Sequence, residues 1–282
     1  MVKIMSQTIA LAIDFKKFTH SILDTGLFLK EKLYPESKIV LFHVIEFFLT
    51  PPHYLIPYFK EEENRLKTEL LNLSQKFKNK NIPVETEVIF GNFWEALKNF
   101  VKNLNPHLLV LGYQPYRFKI STAEKILERV KSNFLVVKDS PLQEIKKVLC
   151  CVDFSENSLA SLKMANFISQ KLGAQLMALN VISEMKIKNH KLKEEILEEE
   201  RAKRNELWNN LLSSLEGAKK EVFKFQIKYG EKTNEILKTI NDFSPDLLII
   251  GKTGKMVEFG LGSVTKELLK RVSIPILIAE NI

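Results

Sequence analysis

Cysteine is nearly absent from this chain, since the only two, Cys150 and Cys151, are adjacent. Adjacent cysteines supply neither a disulfide framework nor the ligand spacing of a metal site. Long apolar runs are missing as well, because no stretch approaches the roughly 20 residues needed to span a bilayer. The early apolar run at residues 9–13 stops at Asp14, which predicts a first strand rather than a signal peptide. We therefore expect a cytoplasmic protein that does not associate with membranes.

The chain also lacks long blocks of charge of one sign. Its formal charge is +8, but basic and acidic residues are interleaved, as in residues 186–201. Mixed charge is typical of a solvated helix face, so we expect no nucleic-acid partner. The five histidines show no metal spacing, and no Ser/His/Asp set, Cys/His set or carboxylate pair is evident. The sequence therefore predicts no catalytic residues and no metal site.

An internal repeat is present instead. Asp14 recurs 139 residues later at Asp153, and three further anchors recur at the same offset: Gly91, Pro106 and Gly112 at Gly230, Pro245 and Gly251. A common offset indicates a tandem duplication, with a polar, proline-containing joint at residues 138–147. We expect two domains, at residues 1–140 and 145–282, each large enough to bury a core.

Short β-branched runs alternate with longer helical patterns in both halves. In the second half, strands are predicted near residues 148–153, 175–181, 221–228, 246–250 and 274–279, and helices near 157–171, 191–215, 232–242 and 263–272. This alternation predicts an α/β fold of two tandem doubly wound, Rossmann-like parallel sheets of five strands. Ligands of such sheets bind beyond the carboxyl ends of the strands, where the strand order reverses. Asp153 and Gly251 are expected to flank that crevice.

Four of the ten glycines fall within the twelve residues 251–262. This segment follows the apolar run at 247–250 and precedes the predicted helix at 263–272. A buried strand, a glycine-rich loop and a helix N-terminus together favour anion binding, because backbone N–H groups and the helix dipole point at the anion. We therefore expect a bound phosphate group, that of a nucleotide.

Two familiar nucleotide motifs do not fit this loop. A P-loop would need a glycine five residues before Gly251, where the chain has Asp246. A dinucleotide fingerprint starting at Gly260 would need glycine or alanine where Thr265 stands. Such a fingerprint also follows the first strand of its fold, whereas Gly260 comes after the predicted fourth strand of this half.

A third pattern does fit. The strand with Gly-x-x-Gly at residues 246–254, the Gly-Ser-Val-Thr at 262–265 and the Val-Asp-Phe-Ser-Glu at 152–156 resemble the universal stress protein family. The resemblance extends over almost the whole chain and implies an adenine-nucleotide alpha-hydrolase-like fold that binds ATP, with or without Mg²⁺. By position, Asp153 and Val181 would line the adenine and ribose side. The phosphates would be held, through backbone N–H groups and one hydroxyl, by Gly251, Gly254, Gly262, Ser263 and Val264.

Some of these positions have a structural alternative. Asp153 and Ser263 are also suited to capping helices. Lys252 and Lys255 either neutralise phosphate charge or are ordinary exposed loop lysines.

The first half departs from the pattern. After Gly112, Pro115 replaces the second glycine and Ile120 replaces the counterpart of Gly262. Proline lacks an N–H donor and isoleucine keeps the backbone away from a phosphate. We expect no nucleotide in this half, and a turn or cap role for Asp14.

The resulting functional hypothesis is a regulatory protein with one ATP site, in its second half. Enzyme activity is expected to be absent or limited to slow ATP hydrolysis, since no water-activating base or arginine finger is evident. The alternative is an interaction scaffold without nucleotide, which is favoured by a spacer of seven residues between Gly254 and Gly262 where the family has nine. We expect the two halves to pair through their last strands, at residues 134–137 and 276–279. Association of whole chains into a homo-oligomer is left open by the sequence.

Overall fold

The computed structural model describes residues 7–46, 56–116, 120–185, 187, 189–213, 215, 223–254 and 260–281. The chain forms two compact units. The first unit contains Met1–Tyr113 and Val130–Gln143, and the second contains Gln114–Arg129 and Glu144–Ile282. The units therefore interleave in sequence, whereas the domain boundaries predicted above follow the sequence repeat.

The first unit is an α/β layer structure. Its elements are β1 (Thr8–Ala12), α1 (Thr19–Phe28, followed by a π-helical turn at Leu29–Leu33), β2 (Lys38–Glu46), α2 (Ile56–Lys78), β3 (Val84–Gly91), α3 (Phe93–Leu104), β4 (Leu108–Gly112) and β5 (Phe134–Val137). The strands lie in the order β3-β2-β1-β4-β5, and neighbouring strands are parallel.

The second unit repeats this arrangement. It contains α4 (Thr122–Arg129), β6 (Lys147–Cys151), α5 (Glu156–Leu172), β7 (Gln175–Ser183), α6 (His190–Ser213), β8 (Phe223–Gly230), α7 (Lys232–Phe243), β9 (Leu247–Gly251), α8 (Ser263–Arg271) and β10 (Ile276–Ala279). The strands lie in the order β10-β9-β6-β7-β8, again with parallel neighbours.

The central strands explain why this fold forms. All five residues of β9 and four of the five in β6 are buried, as expected for parallel strands covered by helices on both faces. Every strand and helix predicted for the second half is present, with bounds within two residues of those predicted. The predicted fold class is confirmed. Among the described residues, no helix combines the length and apolar character needed to cross a bilayer.

Candidate functional site

The candidate site lies in the second unit, where the strand order reverses. From β6 the chain proceeds through β7 to β8 on one side, and β9 and β10 lie on the other side. β6 pairs directly with β9, so their carboxyl ends meet as predicted. A cavity of about 470 Å³ opens at this edge. The residues that the family resemblance implicates all line it: Asp153, Val181, Gly251, Gly254, Gly262, Ser263 and Val264.

Asp153 is held by the turn that links β6 to α5. Its Oδ1 accepts hydrogen bonds from the backbone N–H of Ser155, at 3.0 Å, and from the Ser155 hydroxyl, at 2.6 Å. Ser155, not Asp153, is the N-cap of α5. The second carboxylate oxygen, Oδ2, accepts no hydrogen bond from the part of the chain that the structure describes. Asp153 thus shapes the turn with one oxygen, while the other makes no hydrogen bond to the described chain.

The glycine-rich loop is pinned at its base to the end of β9. The Gly262 N–H donates to the carbonyl oxygen of Lys252 at 2.9 Å, and the Thr265 hydroxyl donates to that of Gly251 at 3.1 Å. In this structure the Gly262 N–H is therefore engaged within the protein. Because Gly262 has no side chain, it leaves space in the cavity.

Two other glycines of the loop are required by geometry. A Cβ on Gly254 would lie 2.6 Å from Asp153 Oδ2, so any side chain there would displace the carboxylate. Gly260 has a φ of +90°, a conformation that other residues rarely adopt. Lys255, one of the lysines considered for phosphate contact, lies outside the described residues.

The N-terminus of α8 faces the cavity without a cap from the described side chains. Gly262 occupies the N-cap position, so Ser263 is the first helical residue rather than the capping residue. The first-turn N–H groups of Ser263, Val264 and Thr265 have no acceptor inside the helix. No acidic residue stands in this turn to compete for its positive dipole end. This helix end is suited to a phosphate.

Lys252, in contrast, is turned away from the cavity. Its side chain is 4% exposed and its Nζ lies 2.8 Å from Glu280 Oε2, while Lys252 is not among the cavity residues. The structure therefore favours an internal ion pair over phosphate contact for this lysine.

Replacing Lys252 with methionine is expected to destabilise the second unit by about 3 kcal/mol, because its largely buried ion pair with Glu280 would be lost. The free energy of unfolding, measured by urea titration, tests this. The control is Lys146→Met, which removes an exposed ion pair with Glu144 in the same unit and should cost under about 1 kcal/mol. ATP affinity should be nearly unchanged in both variants. An unchanged stability together with a large loss of affinity would instead assign Lys252 to the phosphates.

Helix α6 contributes cavity residues that the sequence did not indicate. Lys203, Arg204 and Leu207 line one wall, together with Glu200, which forms an ion pair with Arg204. Lys232 at the start of α7 is a further cation. The charged residues lining the cavity are thus three cations (Lys203, Arg204 and Lys232) and two carboxylates (Asp153 and Glu200). Their net positive charge favours an anionic ligand.

One cysteine, Cys151, lies in the lining of the cavity. Burial, together with the negative charge of Asp153, raises the pKa of Cys151 to about 12, so this thiol is neutral at physiological pH. Over the described ranges, no three His, Cys, Asp or Glu residues converge as metal ligands.

The corresponding positions of the first repeat serve local structure. Asp14 Oδ1 accepts from the Lys16 N–H at 2.9 Å and from the Thr19 hydroxyl at 3.3 Å, which confirms its role in a turn. A Cβ on Gly112 would lie 2.4 Å from the Cβ of Phe18, so the space next to this glycine is filled by protein. Gly112 is therefore required by packing.

Comparison with known proteins agrees with the fold. The model of the universal stress protein family matches residues 5–138 and again 144–280. Universal stress protein MJ0577 of Methanocaldococcus jannaschii is 30% identical over 154 residues, which cover 48% of this chain and 95% of that protein. The crystal structure of a universal stress protein from Archaeoglobus fulgidus superposes with a TM-score of 0.70 at 18% identity, covering 98% of this chain and 99% of that one. A putative universal stress protein from Pseudomonas aeruginosa gives 0.70 at 14% identity, covering 98% and 93%. Because the family model matches both halves, the chain belongs to the universal stress protein family, in its tandem two-domain form.

Proposed function

We propose that this protein is a nucleotide-responsive regulator that binds one ATP, in the cavity of its second unit. The observation that carries this proposal is the uncapped N-terminus of α8 at a glycine-lined cavity. Its first-turn N–H groups and dipole favour a bound phosphate. ATP is the nucleotide that the family resemblance implies.

The cavity has room and polarity for such a ligand. Its volume of about 470 Å³ is within the range of small-molecule sites. The triphosphate would lie against Ser263 and Val264, near Gly254 and Gly262. The nucleoside would lie beside Val181, with a ribose hydroxyl donating to Asp153 Oδ2. Mg²⁺, when bound, would be carried by the phosphates, since carboxylates and phosphates are its preferred ligands.

A regulatory role suits the cavity better than catalysis does. Phosphoryl transfer needs a group that positions the attacking water and a cation that stabilises the transition state. Of the two carboxylates lining the cavity, Asp153 is proposed to contact the ribose rather than the phosphates, and Glu200 pairs with Arg204. We therefore expect slow hydrolysis at most. A scaffold without nucleotide is the second candidate, favoured by the seven-residue spacer between Gly254 and Gly262.

Analysis of the nucleotide carried by the purified protein tests the proposal. Acid-released nucleotide, separated by chromatography, should be ATP. The protein should also bind added ATP, with hydrolysis slower than about 1 per second. A protein that carries no nucleotide and binds none when ATP is added would favour the scaffold, and faster turnover would favour an enzyme.

A further inference from the structure

Lys232, the first residue of helix α7, is a cation in the wall of the cavity. The residue is exposed, and within the described part of the chain its side chain forms no ion pair and no hydrogen bond. Glu231, its neighbour in sequence, is the N-cap of α7 and accepts from the backbone N–H groups of Thr233 and Asn234, at 3.0 and 2.8 Å. The adjacent carboxylate is therefore engaged by the helix, and the ammonium group of Lys232 is open to an anion in the cavity.

The packing of α7 against α8 places Lys232 on the phosphate side of the cavity. The Thr233 hydroxyl donates to Glu267 Oε2 at 3.0 Å. Glu267 lies about one helical turn after Ser263, the first residue of α8. The start of α7 is thus fixed beside the first two turns of α8, whose N-terminus is the proposed phosphate site.

The first repeat has the same helix start without the lysine. Asn92 is the N-cap of α3, and its side chain accepts from the backbone N–H groups of Trp94 and Glu95. The residue that corresponds to Lys232 is Phe93, whose ring centroid lies 4.9 Å from that of Trp94. The cap occurs in both repeats and is local structure, whereas the lysine occurs in the repeat that contains the cavity.

An unpaired ammonium group at this position distinguishes ligands by the length of their phosphate chain. A triphosphate carries more negative charge than a monophosphate and extends further from the nucleoside. Attraction between charges falls with distance, and salt screens it within about 8 Å at physiological ionic strength. Lysine is a point charge on a flexible stem, which suits phosphate oxygens without requiring one fixed geometry. Lys232 therefore suits the outer phosphates held at the α8 N-terminus.

We propose that Lys232 is a specificity-determining residue, whose ammonium group pairs with an outer phosphate of the bound nucleotide and so favours a triphosphate over a monophosphate. This inference depends on the proposed nucleotide function of the cavity. It adds a side-chain cation, from a helix outside the glycine-rich loop, to the phosphate contacts proposed above.

Calorimetric titration with ATP and AMP isolates this contact, because the two ligands differ only in the outer two phosphates. The proteins are the parent chain, Lys232→Met and Lys232→Arg. The parent should bind ATP more tightly than AMP. In Lys232→Met the ATP affinity should fall roughly tenfold, the lower end for a hydrogen bond between charged groups, and the AMP affinity by less than about threefold. Lys232→Arg keeps the charge and should keep the preference of the parent.

Salt dependence gives a second readout, which a loss of packing alone would not change. Added sodium chloride should weaken ATP binding less steeply in Lys232→Met than in the parent, because one screened charge pair has been removed. The matched control is Lys224→Met. Lys224 is an exposed lysine near the opposite end of β8 and is not among the cavity residues. Its replacement should leave both the ATP preference and the salt dependence unchanged.

Each outcome decides one question. Failure of the parent to bind ATP would overturn the proposed function and this inference with it. ATP binding with the same preference over AMP in parent and Lys232→Met would overturn this inference alone, as would an equal change in Lys224→Met. Thermal unfolding checks the folding of Lys232→Met. If this variant does not fold, a crystal structure of the parent with ATP decides: Lys232 Nζ within about 4 Å of an outer phosphate oxygen supports the proposal, and a greater distance overturns it.

Discussion

Replacing Gly262 with valine is expected to weaken ATP binding roughly 100-fold or more, equivalent to about 3 kcal/mol, while the protein stays folded. Gly262 has φ −59° and ψ 149°, which any residue can adopt. The nearest atom to an added Cβ would be the Lys252 carbonyl oxygen, at 3.4 Å, an ordinary contact. The branched side chain would therefore fit the free protein but occupy cavity space beside the α8 N-terminus. Calorimetric titration with ATP and a thermal unfolding curve measure the two effects separately.

The matched control for this change is Ile120→Ala, at the corresponding position of the first repeat. Ile120 is 59% exposed, and its truncation should leave ATP affinity unchanged. ATP binding by Gly262→Val as tight as that of the parent would show that the phosphate role assigned to this loop is wrong.

Asp153→Asn is expected to weaken ATP binding roughly 10- to 100-fold, the usual contribution of a hydrogen bond to a charged group. The amide oxygen can still accept from Ser155, so the turn after β6 should survive. The amide nitrogen would replace Oδ2 and present a donor to the ribose hydroxyl in place of an acceptor. The change should appear in the ATP dissociation constant and not in the unfolding temperature.

Asp14→Asn is the matched control, because Asp14 makes the same kind of turn in the first repeat. It should leave ATP affinity unchanged. Equal losses of affinity in both variants would show that the effect is a general one of charge, and an unaffected Asp153→Asn would exclude Asp153 from the ligand contacts.

The fold could be predicted from the sequence because the signals that set it are local and repeated. The apolar strand β9 and the glycines after it mark a strand, a loop and a helix start within 25 residues. The common offset of 139 residues then extends the assignment to the other half. The seven predicted site residues meet at one cavity because carboxyl ends of parallel strands meet at one edge.

Other features of the site depend on tertiary packing, which leaves no local signal. Lys252 lies in the glycine-rich loop, and its pairing with Glu280 depends on β10 lying beside β9. Arg204 and Leu207 occur in a helix of mixed charge, and only its packing in the second unit brings them to the cavity. The left-handed conformation of Phe154 (φ 61°) and of its counterpart Phe15 (φ 56°) is likewise unexpected, since phenylalanine rarely adopts it.

Asn180 illustrates the same limit within a strand. Its position in an apolar run predicts burial, but only the structure shows that Nδ2 is bonded to Val152 while Oδ1 is not bonded within the described chain. The orientation of this amide therefore follows from the structure and not from the sequence pattern.

Equilibrium dialysis of labelled ATP against the whole chain tests the central proposal most directly, because it counts bound ATP. One ATP per chain at saturation is the expected result, with binding lost in Gly262→Val and retained in Ile120→Ala. Two equivalent ATP molecules per chain, or one that Gly262→Val still binds with the affinity of the parent, would contradict a single site at the N-terminus of α8.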